Sequence, residues 1–283
     1  MFKNYRELIN SVANQLENYN EAIWFFEDLL EVDKFKLYLL MDDPVNPKVL
    51  NQINEKVQLR QSGIPTQYLT RHWQFRNILV KVDPRCLIPR PESELLIDIA
   101  NNFIRNTKKT SVNILDLGTG SLCLCLALAQ ENKAIKEIYI TAAEKSLPAI
   151  EIANENLNLY PDFKNTIKIL ESNWFGSLDV GMKNKFDLII SNPPYLAHGA
   201  DVDASVKNFE PHIALFSEDG GFADTKEIIV NSKSWLSTDS MLILETDPSL
   251  VFKASNLLKQ YQFENVSILT DQFGLNRFIT AHN

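Results

Sequence analysis

The stretch Val112–Gln130, VNILDLGTGSLCLCLALAQ, decides the fold. VNILDLG is apolar at Val112, Ile114, Leu115 and Leu117 and reads as a strand. SLCLCLALAQ has no glycine or proline and reads as a helix. Gly118 and Gly120 stand between them, where the chain must turn sharply without a Cβ in the way. Strand, glycine turn and helix make the opening half of a βαβ unit.

Moving toward the C-terminus, the alternation continues. EIYITAAEK is a strand and SLPAIEIANENLNLY a helix, with Ser146 as N-cap and Pro148 in the first turn. TIKILES and FDLIIS are strands, GFADTKEIIVNSKSWLS a helix, MLILET a strand and PSLVFKASNLLKQY a helix. VSILTDQFGLNRFITAH reads as two strands around Gly274, an antiparallel hairpin expected at the sheet edge. Near-continuous apolar strands alternating with helices predict an α/β, doubly wound, mostly parallel sheet covered on both faces.

Toward the N-terminus the pattern changes. Residues 1–72 carry helical spacing at Leu8, Ile9, Val12 and Leu16, at Ile23, Phe26, Leu29 and Leu30, and at Val49, Ile53, Val57 and Leu59. This predicts a small helical bundle, ended by Gly63 and Pro65. Residues 73–86 then read as a β-hairpin linker around Arg76-Asn77. The third region, 87–283, opens on Pro89-Arg90-Pro91-Glu92, rigid and charged, before a helix from about Ser93.

Composition narrows the function classes. Of the 283 residues, 45% are hydrophobic and 23% charged, the balance of a globular protein, and the formal net charge is −8. That charge is unfavourable for binding duplex DNA, which needs clustered Lys and Arg. MFKNYRELIN lacks the apolar centre of a secretory signal, and the densest apolar run, Leu122–Ala129, is too short to span a bilayer. A cytoplasmic protein is expected. Cys86, Cys123 and Cys125 have no metal-binding spacing, and His72, His198, His212 and His282 are scattered, so no metal site is expected.

Ligands of such sheets bind beyond the carboxyl ends of the strands. Asp116, Gly118, Thr119, Gly120, Ser121 and Leu122 line up there as a candidate cofactor turn. Glu144, ending the next strand, is placed to accept from a ribose diol. A dinucleotide-binding enzyme shares this much. However, the third glycine that a pyrophosphate needs is replaced by Leu122, and the fourth strand delivers Asn192-Pro193-Pro194-Tyr195. Both features favour S-adenosylmethionine over NAD, with Trp174 as a stacking face for adenine or a packed core residue.

Asn-Pro is a common turn initiator, but this one has a chemical use. A conjugated NH2 group is a poor nucleophile because its lone pair is delocalised. The Asn192 side-chain oxygen and the Pro193 carbonyl can each accept one of its hydrogens. Both acceptors become more favourable as the nitrogen gains positive charge. Tyr195 can stack on a flat substrate, and no strong base is required.

With these motifs in place, the chain resembles the release-factor glutamine methyltransferases, the HemK/PrmC family. The resemblance rests on GIPTQYLT (63–70), LIPRPESELL (87–96), ILDLGTGS, FDLIISNPPY, FEPHIAL (209–215) and DQFGLNRF (271–278), in family order. It implies a helical N-terminal domain for substrate recognition, a hairpin linker and a seven-stranded Rossmann-like methyltransferase domain. It also implies methyl transfer from S-adenosylmethionine to the glutamine of the Gly-Gly-Gln loop of class I peptide chain release factors. Asn192 to Tyr195 would hold that glutamine. Gly118 to Leu122, Glu144, Trp174 and Asn192 would hold or border the cofactor. Arg90 and Glu92 would shape the substrate site, with Glu210 similar or an ordinary surface acid.

The chain departs from the family at several positions. Leu122 replaces a small residue, Glu144 an aspartate, and Lys145 follows it. Glycines usual near Arg71 and Asn77 are missing, and LETDPSL (244–250) replaces a Glu-Ile-Gly segment. Leu122 is placed to crowd the methionine moiety. Two other readings stand beside the leading one: an adenine-N6 nucleic-acid methyltransferase, and a release-factor-binding module with weakened catalysis. A nucleic-acid substrate is not expected, and a monomer is.

Overall fold

The computed structural model describes residues 2–283 as two compact units. One takes the chain up to His72 together with Val202–Phe209; the other takes Trp73–Asp201 and Glu210–Asn283.

The first unit holds α1 (Tyr5–Leu16), α2 (Tyr19–Leu30), α3 (Lys34–Leu40), α4 (Pro47–Gln61), α5 (Thr66–Thr70) and, from later in the chain, α9 (Ala204–Phe209). Side-chain oxygens start its helices: Asn4 accepts from the Glu7 N–H, Asn18 from Asn20 and Glu21, Asp33 from Lys36 and Asn46 from Lys48. Leu8, Ile9, Val12, Ile23, Phe26, Leu37 and Ile53 pack into one core. The helical pattern predicted α1, α2 and α4. It missed α3, whose KFKLYLL alternates more like a strand. Leu59, expected on the apolar face of α4, is 38% exposed. Gly63 has φ +101, and a Cβ there would stand 3.3 Å from the Phe209 ring.

The second unit begins with the hairpin β1 (His72–Phe75) and β2 (Ile78–Lys81), then α6 (Glu94–Asn106). Then come β3 (Ser111–Leu117), α7 (Cys123–Asn132), β4 (Glu137–Glu144), α8 (Leu147–Leu159), β5 (Ile167–Glu171) and β6 (Phe186–Ser191). β7 (Leu196–Ala197) and β8 (Phe216–Ser217) form a separate short pair before the turn α10 (Glu218–Gly221) and α11 (Ala223–Ser232). β9 (Leu236–Glu245), α12 (Val251–Gln260), β10 (Glu264–Thr270) and β11 (Asn276–His282) complete it.

The central sheet has seven strands in the order β10-β11-β9-β6-β3-β4-β5. β9, β6, β3, β4 and β5 run parallel, and every residue of β6 is buried, as a strand covered on both faces requires. The expected terminal hairpin is antiparallel and lies at the sheet edge. Its second strand is inserted: β11 pairs with β9 on one side and β10 on the other, so β10 is the outer strand. No helix among the described residues is long and apolar enough to cross a membrane.

The two positions where glycine was missed differ in what replaces it. Arg71 caps α5 with φ 62 and is exposed, whereas Arg76 turns the hairpin with φ 48. Arg76 also pairs with Glu131 at 2.6 Å and Asp98 at 2.8 Å. Arg71→Gly should therefore stabilise the protein by about 0.5 kcal/mol, the left-handed strain relieved less the added chain entropy. Arg76→Gly should destabilise it by about 2 kcal/mol, because the largely buried Glu131 carboxylate loses its two-pronged partner. Equilibrium urea unfolding checks both; a stabilised Arg76 variant would remove the role given to its guanidinium.

Candidate active site

The sheet register brings five strand ends to one edge. Leu117 of β3 pairs with Ala143 of β4 and Ser191 of β6, Glu144 with Glu171 of β5, and Ser191 with Leu244 of β9. Strand order reverses between β3 and β6, and there the Ser191 hydroxyl donates to the Leu117 carbonyl at 2.7 Å. A cleft at this switch point is the expected ligand position. Two adjoining hollows open there, of about 600 and 420 Å³. Gly118, Gly120, Leu87 and Asn192 line both.

The glycine turn is held from beneath. The N–H groups of Gly118 and Thr119 donate to the Ala143 carbonyl at 2.8 and 3.2 Å. Gly118 (φ +74) passes so close to Trp174 that a Cβ would stand 3.3 Å from its ring, while a Cβ on Gly120 (φ +54) would meet nothing within 4 Å. Asp116 is fully buried. One of its oxygens accepts from Thr119 Oγ1 at 2.6 Å and Cys125 Sγ at 3.0 Å; no described residue donates to the other. Burial pushes its carboxyl up to about 6, against those two hydrogen bonds, with the Glu144 charge adding to the rise. Thr119 and Ser121 line the smaller hollow. Leu122 does not enter either: its side chain is fully buried, and its φ of 71 puts it in the left-handed region a small residue would fill more easily. Leu122 thus borders the turn from the interior side and contributes no side chain to either hollow.

Glu144 lies in the larger hollow with both oxygens fixed by backbone. Gly120 N–H donates to one at 3.0 Å and Ser146 N–H to the other at 2.9 Å. Each carboxylate oxygen keeps lone-pair capacity for a further donor. Trp174 lines the same hollow, is 7% exposed, and donates from Nε1 to Asp224 at 3.2 Å. Lys145 Nζ stands 5.6 Å from its ring centroid. The tryptophan is therefore both packed and cleft-lining.

Asn192 stands where the hollows meet. Its Nδ2 donates to Ser93 Oγ at 3.1 Å, and no described residue donates to its Oδ1 or to the Pro193 carbonyl. Ser93 Oγ in turn donates to Glu245 Oε2 at 2.6 Å. Pro194 lines the larger hollow. Tyr195 stands behind, its hydroxyl 3.5 Å from Glu245 Oε1 and pushed above its usual pKa by burial and that carboxylate. Gly221, with φ +94, lets the chain pass the Tyr195 carbonyl, which a Cβ would approach to 2.2 Å.

The Pro-Arg-Pro-Glu segment frames the smaller hollow. Arg90 Nη2 pairs with Glu210 Oε1 at 2.6 Å, and the Ile88 N–H donates to the other Glu210 oxygen at 3.1 Å. Glu210 is 4% exposed, so it is a buried strut and not a surface acid. Glu92 is half-buried; its charge raises the Glu245 carboxyl, and it lines neither hollow.

Sequence reasoning missed Ser93, Glu245 and Gly221. Ser93 was read only as a helix start and Glu245 only as part of an altered segment. Their meeting depends on α6 packing against β9, which local pattern does not encode. The paired glycines Gly220-Gly221 were the available signal for the close approach.

A family model described as Methyltransferase small domain matches residues 93–221, and one described as PrmC N-terminal domain matches residues 7–70. A release factor glutamine methyltransferase of Francisella tularensis is 32% identical over 245 residues, covering 86% of this chain and 83% of that protein. Another, from Lactococcus lactis, is 30% identical over 281 residues, covering 97% and 98%. Among solved structures, a methyltransferase from Pyrococcus furiosus shares the fold at TM-score 0.51 and 14% identity, covering 83% of this chain and 98% of that one. This chain belongs to the release factor glutamine methyltransferase family.

Proposed function

We propose that the chain transfers a methyl group from S-adenosylmethionine to the side-chain nitrogen of glutamine in the Gly-Gly-Gln loop of class I release factors. The observation that carries this reading is the state of Asn192: its NH2 is engaged inward on Ser93, and its Oδ1 is unclaimed at the junction of two hollows. The substrate class is that of the related release factor glutamine methyltransferases.

The residues present fit the donor. Glu144, with both oxygens anchored by N–H groups, is built to receive a ribose diol, and Trp174 offers a ring beside it. The bare Gly120 leaves room for close approach. Bound there, S-adenosylmethionine supplies an electrophilic methyl group on a sulfonium. The chain's own residues orient the acceptor. Asn192 Oδ1 and the Pro193 carbonyl each take one N–H of the glutamine amide, turning the nitrogen toward the larger hollow. As positive charge grows on that nitrogen, both hydrogen bonds strengthen. Tyr195 backs the amide plane, and Arg90, braced by Glu210, borders the approach.

An exocyclic adenine amine would satisfy the same two acceptors. The net charge of −8 argues against a nucleic acid as its carrier. We further read the protein as a cytoplasmic monomer whose helical unit recognises the release factor.

Incubation with labelled S-adenosylmethionine and a release factor should place the label on the Gly-Gly-Gln glutamine. Label on DNA or RNA instead would transfer the assignment to the adenine reading. Asn192→Ala should lower kcat by about a hundredfold or more while changing cofactor affinity less; unchanged turnover would end the amide mechanism. Glu144→Ala should weaken S-adenosylmethionine binding by roughly tenfold or more, since it removes a charged acceptor. Calorimetry reads that loss, and an unaltered Kd would take Glu144 out of the cofactor site.

A further inference from the structure

Ser93, Asn192 and Glu245 come from three parts of the chain and form one hydrogen-bonded line. Ser93 ends the turn that precedes α6, Asn192 follows β6, and Glu245 ends β9. Pairing of Ser191 with Leu244 sets Asn192 beside Glu245. Ser93 is 4% exposed and Glu245 is 1% exposed.

The direction of the line carries information. A serine hydroxyl has one proton. Here it is given to Glu245 Oε2 at 2.6 Å, so toward Asn192 the oxygen can only accept. Asn192 must then present Nδ2 inward, as the 3.1 Å contact shows, leaving Oδ1 to face the hollows. With Glu245 gone, the Ser93 proton is free to meet Oδ1, and the amide can turn over. It would then show an NH2 group to an incoming NH2 group, donor against donor.

We propose that Glu245, acting through Ser93, is a positioning residue that sets the acceptor face of Asn192 toward the hollows. The use made of that face rests on the methyl-transfer reading above; the orientation itself does not.

The surroundings of Glu245 agree with a retained polar role. Burial pushes its carboxyl up to about 7, against the Ser93 hydrogen bond and the Arg277 charge, while Glu92 acts in the same direction as burial. Tyr195 faces its second oxygen. A hydrophobic residue would be easier to bury at this place. Ionised, the carboxyl can only accept, so with its charge in place the direction of the line is fixed.

The test combines kinetics with the Asn192 side-chain amide resonance, assigned by its loss in Asn192→Ala. Ser93→Ala and Glu245→Ala should each lower kcat roughly tenfold, the worth of one oriented hydrogen bond, with KM for the release factor unchanged. Ser93→Thr, which keeps the hydroxyl, should restore kcat. In an Asn192→Ala background neither variant should lower turnover further, since they act through the missing amide. The amide protons should exchange with solvent roughly tenfold faster in Ser93→Ala than in the unaltered protein or Ser93→Thr.

Losses that multiply fully on the Asn192→Ala background would overturn the proposal, as would an amide resonance and exchange rate indifferent to Ser93→Ala. If Glu245→Ala does not fold, the Ser93 pair decides alone. If the unaltered protein methylates no glutamine while the resonance responds as expected, the functional reading fails and the positioning line stands.

Discussion

The bond from the Ser191 hydroxyl to the Leu117 carbonyl marks the constraint from which the site follows. It ties β6 to β3 at the point where strand order reverses, and the parallel register then fixes every other strand end. A slip of one residue would turn each strand's side chains to the opposite face. The full burial of β6 resists any such slip, because Asp187 and Ser191 find their partners, Lys109, the Asn113 N–H and the Leu117 carbonyl, only in this register. Glu144, Asn192 and Glu245 are therefore placed by the core and need no contacts of their own to find one another.

Polar groups at this edge are satisfied in an unequal way, and the inequality has chemical content. Glu144 has both oxygens anchored by N–H groups. Asp116 has one oxygen doubly engaged, and no described residue donates to the other. Asn192 has its NH2 engaged and its oxygen open. A folded protein pays for an unmet buried acceptor. Asp116 lines neither hollow, whereas the open Asn192 oxygen stands where the two hollows meet and marks where a hydrogen-donating guest belongs.

What the sequence disclosed and what it withheld divide along physical lines. Strand and helix alternation is a local property, so VNILDLG, FDLIIS and MLILET could be placed without the fold. The glycine turn and Asn192-Pro193-Pro194-Tyr195 were legible because unusual backbone needs unusual residues. Local reading missed α3 because seven residues hold too few periods to reveal a helix. A residue's position in a motif does not state its φ, so the φ of 71 and the full burial of Leu122 were not legible. The Ser93–Glu245 contact spans 152 residues and exists only through the packing of α6 on β9. Glu210 could be read as site-shaping or as a surface acid, because its partners, Arg90 and the Ile88 N–H, lie some 120 residues earlier.

The insertion of β11 between β9 and β10 separates the order of strands in space from their order of synthesis. β9 and β10 both leave the ribosome before the strand that joins them. Until residues 276–282 arrive, one side of β9 carries unpaired N–H and C=O groups, and β10 has no strand partner. An open edge of this kind invites pairing with foreign strands. The nascent chain must therefore be kept from such encounters until the turn at Gly274 has formed, and assembly at that end is a late, capping event.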